Sequence, residues 1–182
     1  MLSYVMITHD QRYGHMRLFI AIIPDNNIKD ELCMAQKRLQ IQGVKGNFTT
    51  RENMHLTLAF IGEYKDPGIV SDVLSQVDLE PVRLVIDGFG TFGDLYWIGI
   101  KKDAGLETNV RRIRKALSDN GIPFDKKKFS PHMTIARKIQ YDKGFPTDAP
   151  FPAAMDVECI SLMRSDRGRN GMIYTVVDEY EI

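Results

Sequence analysis

Apolar positions along this chain fall into two kinds of run. Met16-Arg17-Leu18-Phe19-Ile20-Ala21-Ile22-Ile23 is compact and stopped by Pro24, as a buried strand would be. The period then changes: Ile28, Leu32, Ala35 and Leu39 recur at helical spacing behind Asp25, a residue type that caps helix starts, and the pattern fades near Gly43. A second strand is predicted over Asn53 to Ile61, broken by Gly62. Asp66-Pro67 marks the start of a second helix carrying Ile69, Val70, Val73, Leu74 and Val77. Val82 to Phe89 and Leu95 to Ile100 read as strands joined across Gly90-Thr91-Phe92-Gly93-Asp94, and Leu106 to Leu117 as a third helix stopped at Asn120-Gly121. A further strand follows Pro131, and Gln140 to Pro152, with three prolines, reads as a loop. Met155 to Met163 and Met172 to Val177 close the chain, joined by an arginine-rich connection over 164–171. About seven strands and three helices, with hairpins as well as crossovers, predict a mixed or antiparallel α+β fold rather than a doubly wound parallel sheet.

Two of the strands carry the same polar-apolar tetrad, His55-Leu56-Thr57-Leu58 and His132-Met133-Thr134-Ile135. With a side-chain period of two, each His and its Thr share one face while the apolar pair turns inward. In register, HLTLAF and HMTIAR match at His, Thr and Ala, a weak internal repeat that predicts two lobes with a cleft between them. The register also sets Phe60 against Arg137, so one lobe supplies a guanidinium and the other does not. An ideal strand would point Arg137, five positions past His132, to the opposite face; reaching the cleft requires a bend or bulge after Ala136 or a path around the edge.

Two facing tetrads supply one imidazole to remove a proton, one to deliver a proton, and two hydroxyls to bind an anion. That set suits cleavage of a phosphodiester without a metal. Zinc is the rival use of the histidines, but catalytic zinc normally takes three protein ligands, and no third His or carboxylate stands at ligand-like spacing.

Bulk composition narrows the picture. At 182 residues and 43% hydrophobic the chain can bury a full core, while Lys plus Arg equals Asp plus Glu at 24 each, so any phosphate recognition must be local. Cys33 and Cys159 lack CxxC spacing and are expected to be free thiols. No apolar run approaches the ~20 residues that span a bilayer, and Met1 to His15 contains Thr8, His9, Asp10, Gln11 and Arg12 where a secretory leader would be apolar. A cytoplasmic location with no membrane contact is the expectation.

The wording of several segments resembles the two-histidine phosphoesterase superfamily, and within it the LigT/ThpR type of RNA 2′,3′-cyclic phosphodiesterase, once named 2′-5′ RNA ligase. The similar stretches are MRLFIAI before Pro24, ENMHLTLAFIGE, Tyr96-Trp97-Ile98-Gly99, SPHMTIAR and LMRSDRGRNGMIY, which together cover about Met16 to the C-terminus. The resemblance implies a single bilobal domain over residues 16–182, its two pseudo-symmetric lobes built from mainly antiparallel sheets lining a central groove. Residues 1–15 have no counterpart and are expected to form a mobile extension. The implied activity is hydrolysis of RNA 2′,3′-cyclic phosphate ends to 2′-phosphomonoesters, with RNA ends or cyclic nucleotides as substrate, no cofactor and no metal, in a monomer. The resemblance makes His55 the proton donor and His132 the proton acceptor. Thr57, Thr134 and Arg137 then hold the phosphate.

Ligation or cleavage of 2′-5′ linkages at the same groups is an alternative, as is a non-catalytic module that captures nucleotides or RNA ends. Other residues carry weaker readings. His9 and His15 read as solvated; Lys126-Lys127-Lys128, Arg111, Arg112, Arg114 and Lys115, and the cluster Arg164, Arg167 and Arg169 read as wet charged surface that could also attract RNA. Phe19 and Trp97 are placed in the core, with stacking on a base as the alternative.

Overall fold

The computed structural model of the protein describes residues 15–142, 150–169 and 171–182. The expected N-terminal extension therefore lies outside the described residues apart from His15, as do residues 143–149 of the expected proline-rich loop. The elements run β1 (Met16–Ile22), α1 (Asn26–Ile41), β2 (Lys45–Phe48), a 3₁₀ turn (Arg51–Asn53), β3 (Leu56–Tyr64), α2 (Pro67–Leu74), β4 (Arg83–Phe92), β5 (Leu95–Ile100), α3 (Ala104–Asp119), β6 (His132–Gln140), β7 (Ala154–Asp156), β8 (Cys159–Gly168) and β9 (Gly171–Glu181). An aspartate caps each helix, at the first two as the sequence predicts. Asp25 accepts from Ile28 N at 2.8 Å, Asp66 from Gly68 N at 2.9 Å, and Asp103 from Leu106 N at 2.8 Å, each satisfying a donor the helix leaves open.

Two antiparallel sheets result, ordered β3-β1-β8-β9 and β2-β6-β5-β4-β7. The fold is α+β with two lobes, and the two tetrads sit in different sheets. One continuous core joins them, from Leu18, Ile20 and Ile22 through Leu32, Leu56 and Leu58 to Ile98, Met133, Ile135 and Leu162. Asn109 is fully buried in this framework and satisfied at both ends of its amide by the backbone of Glu80, at 2.7 and 2.8 Å. Cys33 and Cys159 are free thiols, as their spacing suggests.

Five departures from the sequence expectation have physical causes. Strand β3 runs through Gly62, which takes φ 83° and bends the strand without ending it. Strand β4 runs to Phe92, so the connection to β5 shrinks to Gly93-Asp94, with Gly93 at φ 60°. Gly90 belongs to that strand because the Trp97 ring lies where its Cβ would be. The stretch expected as one strand over Met155 to Met163 divides at Val157-Glu158, because β7 pairs with β4 in one sheet and β8 with β1 in the other. The arginine-rich connection is largely strand: β8 and β9 stay paired until Gly168 meets Gly171. Strand β2, Lys-Gly-Asn-Phe, has an exposed face and no apolar alternation, and pairing with β6 rather than local preference makes it a strand.

Candidate active site

Each histidine sits at the N-terminal end of its motif strand, and the same local bond fixes both. His55 Nδ1 meets Asn53 O at 2.7 Å and His132 Nδ1 meets Ser130 O at 2.7 Å. A carbonyl only accepts, so Nδ1 carries the hydrogen and the neutral imidazole keeps its lone pair on Nε2. Asn53 also ties the site to the closing hairpin: its side-chain amide donates to Met172 O at 2.7 Å. Tyr174 of that hairpin stands edge-on to His55, with centroids 5.1 Å apart, and Phe19 lies 5.0 Å from the same imidazole. Around His132 the rings are Phe92, edge-on at 5.2 Å, and Trp97 at 6.0 Å. Phe19 is buried, yet it packs with Ala21 and Met163 in a small cluster apart from the main core, and Trp97 is half-buried. Phe19 is therefore in a core cluster, as expected, with its ring also against His55, while Trp97 is only half-buried and stands beside His132.

The strands then share a second feature that parity alone did not reveal. In β3, Ala59 pairs with Ile20 and Thr57 with the adjacent Ala21, leaving Leu58 as an extra residue; in β6, Ala136 pairs with Tyr96 and Thr134 with the adjacent Trp97, leaving Ile135 extra. Leu58-Ala59 and Ile135-Ala136 are consecutive buried pairs, as a bulge that turns two successive side chains inward requires. The alternation resumes one residue late, which returns Phe60 and Arg137 to the face of their His and Thr. The bulge thus precedes Ala136, where the sequence suggested a bend after it. The strand also twists beyond Arg137, where Lys138 takes φ 53°.

A bulged residue leaves a carbonyl outside the ladder, and a buried carbonyl needs a donor. Leu58 O accepts from Arg114 Nε at 3.3 Å and Nη2 at 3.2 Å, while Ile135 O accepts from Gln36 Nε2 at 2.8 Å and Thr49 N at 2.9 Å. Gln36 and Arg114 each stand ten residues past the first residue of a 16-residue helix. The brace is reciprocal: α1, which follows β1 of the first sheet, holds the bulge of the second sheet, and α3, which follows β5, holds the bulge of the first. Arg114 also donates to Lys127 O at 2.8 Å and lies 5.8 Å from the centre of the Phe129 ring, so it links the first bulge to the segment leading into His132.

Between the sheets lies a groove of adjoining cavities. One of about 320 Å³ is lined by Arg17, Phe19, His55, Thr57, Phe60, Arg137, Ser165, Met172 and Tyr174. A second of about 450 Å³ shares Thr57 and Phe60 and adds Phe92, Arg114, Lys127, Lys128, Phe129, Ser130 and His132. A third of about 700 Å³ shares His55, Arg137 and Tyr174 and adds Asn47, Thr50, Thr134 and Arg169. Thus all five residues singled out from the sequence, His55, Thr57, His132, Thr134 and Arg137, line one groove. Lys127, Lys128 and Arg114 join them. Arg111, Arg112 and Lys115 do not: Arg112 pairs with Asp78 at 3.0 Å and Glu80 at 2.9 Å, Lys115 with Asp119 at 2.5 Å, and Arg111 reaches Thr108. Arg17, Tyr174, Phe92 and Gln36 were missed. Of these only Arg17 carried a usable signal, standing two residues before Phe19 and so on its face of the strand.

Cations outnumber carboxylates along these three cavities: Arg17, Arg114, Lys127, Lys128, Arg137 and Arg169 line them against Asp125. Burial lowers the proton affinity of His55 below the ordinary imidazole value, and the positive charges of Arg137 and His132 add to it against the pull of the Asn53 carbonyl. These surroundings favour the neutral form of His55. Among the described residues no group of three or more His, Cys, Asp and Glu side chains is placed to hold a metal ion, and no helix is long and apolar enough to cross a membrane.

The sequence profile of the 2′-5′ RNA ligase superfamily matches residues 28–169. The chain belongs to that superfamily. Among curated members, an RNA 2′,3′-cyclic phosphodiesterase of Methanocaldococcus jannaschii is 28% identical over 91% of this chain and all of its own length. One of Archaeoglobus fulgidus is 31% identical over 67% of this chain and 72% of its own. The fold is also that of solved structures. E. coli LigT complexed with 3′-AMP superposes with a TM-score of 0.78 at 22% identity, covering 93% of this chain and 98% of that one. A solved protein of Thermus thermophilus gives 0.77 at 24% identity, covering 91% and 97%.

Proposed function

We propose that this member of the superfamily hydrolyses the 2′,3′-cyclic phosphate at RNA 3′ ends to a 2′-phosphomonoester, with the two histidines as acid and base and no metal ion. The observation that carries the reading is the pair of imidazoles, each tied at Nδ1 to a carbonyl two residues back and each lining one groove with a threonine. The names of curated relatives as RNA 2′,3′-cyclic phosphodiesterases support the same substrate. The continuous core beneath both sheets supports treating residues 16–182 as one bilobal unit.

In this reading His132 Nε2 takes a proton from water as its oxygen attacks phosphorus. The P–O3′ bond breaks and His55 Nε2 delivers a proton to O3′, leaving the phosphate on O2′. Charge gathers on the nonbridging oxygens in the transition state, where Thr57, Thr134 and the Arg137 guanidinium meet it. His55 must be charged to act as donor, yet its protein surroundings favour the neutral form. The anionic substrate resolves this, because a negative charge beside the imidazole raises its proton affinity and draws in the proton the reaction needs.

The test is turnover of a 2′,3′-cyclic nucleotide in excess chelator by the native protein and by His55→Ala and His132→Ala. Each substitution is expected to lower kcat by about 10² to 10⁴, the usual contribution of a positioned proton-transfer group. Undiminished turnover in either variant overturns the assignment. Binding without turnover in the native protein identifies a capture module instead, and a 2′-5′-linked product identifies the ligase direction.

A further inference from the structure

The groove holds more positive charge than one cyclic phosphate uses. The 320 Å³ cavity beside His55 contains two guanidiniums, Arg17 and Arg137, and no carboxylate lines it among the described residues. Arg137 also lines the 700 Å³ cavity with His55 and Thr134, whereas Arg17 lines the 570 Å³ cavity, which none of those three residues reaches. Arg17 is held farther out by a specific contact. Its guanidinium carbon lies 4.9 Å from the centre of the Phe60 ring, and Phe60 is the bulge-shifted residue whose counterpart in the other strand is Arg137. The ring thus fills the place of a second inner arginine and serves as the platform for an outer one.

The lining of that adjoining 570 Å³ cavity includes Arg164, Ser165 and Arg167 together with the carboxylates Glu63 and Asp166, so Arg17 stands where the catalytic groove opens onto a surface of mixed charge. Arg164 is occupied by Asp166 at 2.7 Å, and Glu63, opposite Arg17 in the ladder, makes no ion pair with it. Stacked on a ring and free of any acidic partner among the described residues, the Arg17 guanidinium is preorganised for an anion beyond the first.

We propose that Arg17, with the Ser165 hydroxyl beside it, forms a subsite for the phosphate on the 5′ side of the terminal nucleotide, so that the groove prefers an RNA end over a cyclic mononucleotide. This rests on the proposed activity at His55 and His132 and names the part of the substrate those residues do not touch. Arg17 would not take part in bond making. It positions the strand, and the gain comes from a charge-assisted contact that a mononucleotide cannot make.

The experiment compares adenosine 2′,3′-cyclic phosphate with the same nucleotide bearing a 5′-phosphate, measuring dissociation constants by calorimetry and kcat/KM by product analysis. The native protein is expected to bind the 5′-phosphorylated ligand about tenfold more tightly, as one charge-assisted contact at a half-open site provides. Arg17→Met should abolish that preference while leaving kcat/KM for the plain cyclic nucleotide within about threefold, and Arg17→Lys, which keeps charge but not the planar stack, should retain part of it. No preference in the native protein, a preference that survives Arg17→Met, or an equal loss for both ligands each overturns the inference. If the native protein turns over neither ligand, the proposed activity fails, while the calorimetric comparison still decides the role of Arg17.

Discussion

The two motif strands have one backbone plan and two different edges. Both place a histidine at the strand start, bulge at the residue after the threonine, and present the sixth residue of the motif to the groove. Strand β3, however, is the outer strand of its sheet. Its bulge carbonyl is satisfied by the Arg114 side chain, and Phe60 O by the Asp125 backbone N–H at 2.8 Å. Strand β6 lies inside its sheet, flanked by β2 and β5, and its bulge carbonyl is shared between Gln36 and Thr49. One motif therefore depends on a side chain for its shape, and the other has a neighbouring strand as well. Their chemistry diverges at a single position, where the same bulge presents an apolar ring in one strand and a guanidinium in the other. A backbone geometry repeated within one chain can thus be kept while its two copies specialise.

The largest expected effect comes from replacing the side chains at that position one at a time. Arg137→Met deletes the charge that the proposed reaction sets against the developing phosphorane oxygens and is expected to lower kcat/KM for a cyclic nucleotide by about 10² to 10³. Phe60→Met keeps an apolar side chain and should change the same constant by less than about threefold. Equal losses would mean that the two positions are not chemically distinct.

The braces come next in size. Arg114→Met leaves Leu58 O and Lys127 O without their donor and is expected to lower stability by about 1 to 3 kcal/mol, read as the midpoint of denaturant unfolding. Gln36→Leu should cost less, because Ile135 O keeps the Thr49 N–H. A larger loss from Gln36→Leu than from Arg114→Met would show that the inner strand, not the edge strand, is the dependent one.

Much of this architecture can be read from residues that act locally. Asp25, Asp66 and Asp103 cap their own helices, and the apolar faces of Ile28, Leu32, Ala35 and Leu39 and of Leu106, Val110, Ile113 and Leu117 bury as their spacing requires. The histidines and threonines are legible because a strand period of two keeps them on one face over three residues. Arg137 defeats that rule: a bulge is written in pairing between distant strands, and neither Ile135 nor Leu58 differs in type from an ordinary strand residue. Strand β2 escapes for the same reason, since its pairing with β6 is its only cause. Trp97 looks like core because it belongs to an apolar run, and Phe19 is core, yet only the topology shows that the second face of those strands floors a groove. Gln36 gave no signal and Arg114 read only as surface charge, because their partners are carbonyls 99 and 56 residues away.

The finest distinction between the two strands is protonic. In the folded protein His55 binds its proton more weakly than the ordinary imidazole with pKa about 6.5, first through burial and then through the charges of Arg137 and His132. Its NMR titration in the ligand-free protein should fall below that value, and Arg137→Met should move it upward by removing one of the two charges. Because the folded value is the lower one, the unfolded chain binds more protons between the two, so stability is fully present above about pH 6.5 and declines as pH falls toward the folded value. The size is bounded at about 1.4 kcal/mol for each pKa unit, which makes this the smallest of the expected effects. Saturating inorganic phosphate should reverse it, raising the His55 titration and binding more tightly as pH falls, because the anion favours the charged imidazole. A His55 titration at or above the ordinary value in the ligand-free protein would remove the contrast, and with it the need for substrate to bring in the proton.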